Sequence, residues 1–255
     1  MMSSRLPDFD ALWNYDQPYD TERAFRALLP GARAAEDASY LAELLTQIAR
    51  TQGLQGQFEA AQRTLDEAEE LLPNGVPRAG IRYELERGRV FNSARNPDQA
   101  RAFFLRAWTA AVEQGEDLYA VDAAHMMGIV EPPAEQLAWN LRALDLAERS
   151  ADQRARNWRG SLYNNIGWTY YDAGRYEDAL AMFEKALERR KAQGKRRDIR
   201  IANWCIARTL RSLGRVTEAL AMQRRLRSEI NEAGDADRYV EEEIAACLLA
   251  IGQEE

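Results

Sequence analysis

One spacing pattern constrains this chain more than anything else in it. Residues 160–193 contain the stretch LYNNIGWTYYDAGRYEDALAMFEKALERR, in which Gly167, Tyr170, Gly174, Tyr176, Ala179, Phe183, Ala186 and Leu187 recur at helical intervals. The pattern predicts two amphipathic helices joined by a short turn at 172–175. Gly167 and Ala179 are small, so the two backbones approach closely. Tyr170, Phe183 and Leu187 then fill the seam around them.

The same spacing returns along the chain. Residues 42–75 supply Leu45, Ile48, Ala49, Gly56, Phe58, Ala61, Leu65 and Ala68, with Pro73 as a closing residue. Residues 81–114 supply Gly88, Phe91, Ala100, Phe104 and Ala107, and Pro97 opens the second helix. Residues 200–233 supply Ile206, Ala207, Leu210, Gly214, Ala219 and Leu226. A weaker unit over 117–150 keeps Ala124, Met127, Ala143 and Leu144. There Pro132 and Pro133 break the chain, and Gln136 stands where alanine is expected. The small positions of the second helices (Ala61, Ala100, Gln136, Ala179, Ala219) are 39, 36, 43 and 40 residues apart.

These units resemble the tetratricopeptide repeat, most closely at 160–193. Their spacing exceeds the minimal period of about 34 residues. In repeat length alone they are similar to the extended repeats of kinesin light chain and of some bacterial tetratricopeptide regulators. The resemblance implies an all-α, right-handed α-α superhelix of about five helix pairs, one solenoid over 20–255. The ends read as caps: residues 20–29 as a short helix closed by Pro30-Gly31, and 238–251 as an unpaired last helix. That last helix carries an acidic outer face of Glu241, Glu242 and Glu243 that solvates the end of the stack.

Composition agrees with a helical reading. Hydrophobic residues make up 46% and charged residues 29%, with only 15 glycines and 8 prolines. The longest apolar run, 244–251, is far short of the ~20 residues that a membrane span needs. The first ten residues carry no apolar stretch of secretory type. Two cysteines, Cys205 and Cys247, sit inside helical patterns and point to a reducing, cytoplasmic setting. Net charge is unevenly placed: about −7 over 1–130, +6 over 131–234 and −6 over 235–255. Such a distribution leaves room for self-assembly through acidic ends and a basic centre.

Catalytic chemistry is not expected. A single histidine, His125, excludes most metal cages, and no glycine-rich phosphate loop, His-Glu-x-x-His or Cys-x-x-Cys occurs. No cofactor or metal is expected, and Cys205 reads as an inert helical thiol.

The resemblance implies a ligand instead, because in tetratricopeptide proteins the first helix of each repeat lines the groove. Carried onto this chain, that places Arg50, Arg82, Arg89 and Asn92 on the groove wall, then His125. It continues with Asn164, Trp168, Tyr171, Trp204, Arg208 and Arg211. Arginine binds carboxylates in bidentate fashion, and tryptophan and tyrosine give large contact area. The expected partner is a protein or peptide with acidic groups and apolar or aromatic anchors. The competing reading has these side chains in contacts between neighbouring helices. A small anionic ligand or nucleic acid is the runner-up ligand. A basic cluster (Arg189, Arg190, Lys191, Lys195, Arg196, Arg197, Arg200, with Arg154, Arg156 and Arg159) reads first as cations at helix C-termini. The acidic, aromatic segment 8–20 is expected to cap the first helices through Phe9, Leu12 and Trp13, or else to dock in the groove it complements.

Overall fold

A computed structural model describes residues 6–72, 78–194 and 196–252. Among these, every regular element is a helix. A single 3-10 turn at Phe9–Leu12 precedes α1 (Pro18–Ala34), α2 (Ala38–Leu54), α3 (Phe58–Glu70), α4 (Arg78–Ser93), α5 (Pro97–Gln114) and α6 (Asp117–Val130). Then come α7 (Pro133–Arg149), the one-turn α8 (Gln153–Arg156), α9 (Arg159–Asp172), α10 (Tyr176–Gln193), α11 (Arg196–Ser212), α12 (Val216–Glu232) and α13 (Arg238–Gly252). The pairs α2/α3, α4/α5, α6/α7, α9/α10 and α11/α12 overlap the five stretches of the sequence pattern, and α1 and α13 stand unpaired. This is the tetratricopeptide-type helical repeat fold. Pro73 and Lys195 lie outside the described residues.

The turns inside three pairs place Gly56, Gly174 and Gly214 at φ 74°, 73° and 78°. That is the left-handed conformation that closes a helix without steric cost when no Cβ is present. Arg95 occupies the equivalent position between α4 and α5 at φ 63°, a strained choice for a residue with a side chain.

Within the pairs, the small-residue positions do what their spacing predicts. A Cβ added at Gly88 would lie 2.6 Å from the Phe104 ring, and one at Gly167 would lie 2.6 Å from Phe183. Both rings are fully buried, so each aromatic side chain rests directly on a bare helix backbone. In the weak unit Gly128 meets Asn140 in the same way. Asn140 donates from Nδ2 to the Gln136 carbonyl, and Gln136 donates to the Glu131 carbonyl. The polar substitutions of that unit are therefore partly satisfied locally, and the buried residue against Gly128 is Asn140, four positions after Gln136, where the small residue was expected.

One boundary differs from expectation. The first helix does not close at Pro30-Gly31 but runs through both to Ala34. Pro30 removes one backbone donor, yet the inward stripe continues past it: Phe25 and Ala32 are buried, with Leu28 and Leu29 packed on the same cluster. Burial on one face offsets the lost hydrogen bond.

The chain resolves into two compact units, Met1–Ala143 and Leu144–Glu255. The first is centred on Phe25, Leu44, Leu45, Ile48 and Leu65. The second is centred on Phe183, Cys205, Leu226, Ile230 and Cys247.

Candidate ligand-binding face

In the first unit the face formed by α2, α4 and α6 is a network of ion pairs, and its arginines are not free. Arg82, 5% exposed, extends both terminal nitrogens to Asp10, with Nη1–Oδ2 at 2.8 Å and Nη2–Oδ1 at 2.6 Å. Nη1 also donates to the Tyr119 hydroxyl at 3.1 Å and lies 3.4 Å from a Glu43 oxygen. Burial opposes the charge on Arg82, but the Asp10 hydrogen bonds and the neighbouring Tyr119 hold its pKa above the ordinary arginine value. Arg89, 8% exposed, donates to Glu86 on its own helix and to both oxygens of Asp122 on α6. Arg50 lies 3.7 Å from Glu86. The expectation of solvent-facing arginines is corrected here for Arg82 and Arg89. A buried guanidinium without a partner is costly, and the chain supplies a carboxylate one repeat away. Asn92 and His125 are half-buried on α4 and α6. Burial holds the His125 pKa below its usual value, against the pull of Asp122.

The second unit presents a different surface. Trp168 and Tyr171 of α9, Trp204 of α11 and Tyr239 of α13 form a row of rings. Successive centroids are 5.2 Å (Tyr171–Trp168), 6.1 Å (Trp168–Trp204) and 6.4 Å (Trp204–Tyr239). Tyr239 is 53% exposed, and Trp168, Tyr171 and Trp204 are half-buried. Trp204 is fixed by its Nε1–H, which donates to the Tyr239 carbonyl at 3.1 Å. Arg208 sits over the Trp204 and Tyr171 rings, 5.3 and 5.7 Å from their centroids. Its Nη1 donates to Glu243, as does Nε of Arg211 at 2.9 Å. One buried carboxylate, Glu243, which was expected on the solvated outer face of the last helix, thus holds both arginines at the edge of the aromatic row. Asn164 accepts a weak hydrogen bond from the Cys205 thiol at 3.8 Å.

Beside this row a pocket of about 650 Å³ opens between α11, α12 and the start of α13. Its apolar wall is Ile201, Trp204, Leu226, Ile230 and Tyr239, and Arg197, Arg200, Asp235 and Asp237 stand around it. Arg200 pairs with Asp235 at 3.1 Å. The size and lining suit one bulky apolar side chain or a small ligand.

The basic cluster is largely used within the fold. Arg190 is buried and donates to the Asp198 carbonyl. Arg156 donates to the carbonyls of Ser150 and Ala151, satisfying backbone acceptors just past the end of α7, and Arg154 pairs with Asp152. Both cysteines are free and buried, and burial pushes the Cys205 thiol up to about 12. That is the opposite of what a nucleophile needs. Among the described residues no cluster of histidine, cysteine or carboxylate side chains is able to hold a metal ion. No described helix is long and apolar enough to cross a membrane.

The acidic partners Asp10, Glu43, Glu86, Asp122 and Glu243, and the ring of Tyr239, had no place in the sequence-level site. A signal for three of them existed: Arg50–Glu86, Arg89–Asp122 and Arg208–Glu243 are 36, 33 and 35 positions apart, about one repeat. Residues one period apart on first helices are neighbours in a solenoid.

Comparison with known proteins agrees with this architecture. The family model for the tetratricopeptide repeat matches residues 159–192, which are α9 and α10. No curated protein matches the chain. Among solved structures the chain is similar to the apo form of RapI, at 13% identity and a TM-score of 0.77, over 98% of this chain and 70% of that one. It is also similar to PH0952 of Pyrococcus horikoshii, a signal transduction ATPase with numerous domains that has a tetratricopeptide repeat sensor. That match has 20% identity and a TM-score of 0.67, over 84% of this chain and 32% of that one. A Rap protein complexed with Competence and Sporulation Factor aligns at 16% identity and a TM-score of 0.56, over 88% and 66% of the two chains. The chain spans about a third of the length of PH0952. At these identities the likeness is one of fold.

Proposed function

We propose that this chain is a non-enzymatic binding module whose second unit captures a peptide segment of another protein across the first helices α9, α11 and α13. The observation that carries this reading is the open row Tyr171–Trp168–Trp204–Tyr239 beside a pocket walled by Trp204 and Tyr239. Rings held in place yet partly open to water offer contact area with little rotamer entropy left to lose. An apolar or aromatic side chain of the ligand enters the pocket. An acidic group of the same ligand lies near Arg197, Arg200 and Arg208, where partial exposure leaves charge accessible despite the intramolecular pairs. The Rap protein aligned above is bound to a factor, which makes ligand capture by this fold a natural reading here too. The acidity of the ligand, a scaffold or regulatory role, cytoplasmic location and any self-association belong to this proposal as well.

A second reading is favoured by the pocket itself: about 650 Å³ beside arginines accommodates a small anionic molecule, and PH0952 carries its repeats as a sensor. Selection from a random dodecapeptide library on the native chain and on a Trp204→Ala variant separates the two. The peptide reading predicts enrichment of sequences that pair an acidic residue with an aromatic or large apolar one, at least tenfold weaker on the variant. No enrichment on the native chain, or equal enrichment on both, would set the peptide reading aside.

A further inference from the structure

Among its described residues, 6–17, the segment before α1 has little backbone structure of its own, a 3-10 turn at Phe9–Leu12 and a tight turn closed by the Gln17 N–H on the Asn14 carbonyl. It is held on the first unit by side chains. Phe9, 5% exposed, packs edge-on against Phe25 and Tyr40. Trp13 lies against Phe25 and donates from Nε1 to the Gln47 side chain at 3.0 Å. Between these two anchors Asp10 meets Arg82 in the bidentate pair already described. Leu12, expected to pack as part of a cap, is 42% exposed. The spacing of what is anchored is therefore aromatic, acidic, two free positions, aromatic.

A simple hydrophobic cap accounts for Phe9 and Trp13 but gives no reason for a charged pair between them. An ion pair with one buried partner contributes little net stability over an apolar contact, and what this one adds is a charge that an occupant of the site must match. The arginine is also prepared for the departure of its partner. Without Asp10 it keeps Glu43 and the Tyr119 hydroxyl, and it remains stacked beside the Tyr119 ring at 5.7 Å. The carboxylate of Asp10 lies on the outer side, with its side chain 43% exposed. A site that stays charged and positioned when its occupant leaves is a preformed carboxylate clamp.

From this arrangement we propose that the face around Gln47, Arg82 and Tyr119 is a second docking site, for a partner segment bearing an aromatic residue, an adjacent aspartate and a tryptophan three positions further on. Residues 7–16 occupy that site in cis and must be displaced before the partner docks. The site lies within the first unit and does not depend on the α9–α13 face, so either assignment can fail without the other.

The test uses a fluorescein-labelled peptide of residues 6–17, followed by anisotropy against the full chain and its Asp10→Ala variant. Because the Asp10 side chain is partly exposed and Phe9 and Trp13 remain, the variant keeps the anchors of the segment. Far-ultraviolet circular dichroism of the variant is expected to match that of the native chain. The expected result is at least tenfold tighter peptide binding by the variant than by the native chain. The same peptide with its aspartate changed to asparagine loses that gain. Equal binding by variant and native chain, or indifference to the asparagine substitution, would overturn the proposal. Loss of helical signal in Asp10→Ala would overturn it too, since the segment would then be core rather than ligand. A lysine-for-arginine change, Arg82→Lys, gives an independent reading. It keeps the charge but loses the two-pronged geometry, and it is expected to weaken the peptide binding gained by Asp10→Ala at least fivefold.

Discussion

Gln223 occupies the position, four residues after the small residue of the second helix, that Leu65, Phe104 and Phe183 fill in other pairs. All four side chains are fully buried. Neither the amide nitrogen nor the amide oxygen of Gln223 has a hydrogen-bond partner among the described residues. A buried amide that has lost water without gaining a protein partner costs about 1–3 kcal/mol. Gln223→Leu, which restores the side chain found at Leu65, is therefore expected to raise stability by about that amount. Urea denaturation checks it through a higher midpoint at unchanged slope. A midpoint that stays put or falls would mean that the amide is satisfied in a way the geometry does not show. The sequence marks this position as a seam residue by period alone. What it does not disclose is the absence of partners, which depends on the side chains of two other helices.

At the scale of the element, helix pairs were the most legible feature of the chain, and in two of them, α4/α5 and α9/α10, the seam carries a glycine opposite a ring. Gly88 faces Phe104 and Gly167 faces Phe183 at the same separation of sixteen residues. Gly167→Ala places a methyl group inside the Phe183 ring contact, and overpacking of this kind costs about 1–3 kcal/mol. Gly160→Ala, on the same helix, meets its nearest neighbour at an ordinary 3.6 Å and serves as the control, expected to be neutral or slightly stabilising. Native-state hydrogen exchange is expected to quicken in α9 and α10 for the first variant and not for the second. Equal behaviour of the two would contradict the seam. Pro30 was misread because a local rule about proline was applied where continued burial of Phe25 and Ala32 overrides it. The short helix α8 was missed because its four residues are too few to show a period.

For the molecule as a whole, the repeat period explains both what the sequence revealed and what it hid. It located first helices well enough to name Trp168, Tyr171, Trp204, Arg208 and Arg211, which the second unit brings together on one surface. It also named Arg50, Arg82 and Arg89, whose charges are spent largely on Glu86, Asp10, Glu43 and Asp122. Whether an arginine on a first helix meets a ligand or a neighbouring carboxylate is decided by the residue one repeat away, and a motif taken one repeat at a time does not contain it. The proposed ligand surface, the first helices of the second unit, is tested by the hydrogen-exchange footprint of the most enriched library peptide on the native chain. Slowed exchange in α9, α11 and the first turns of α13, with α10 unchanged, is the predicted result. Protection confined to the basic stretch 189–200, or spread over no first helix, would contradict it.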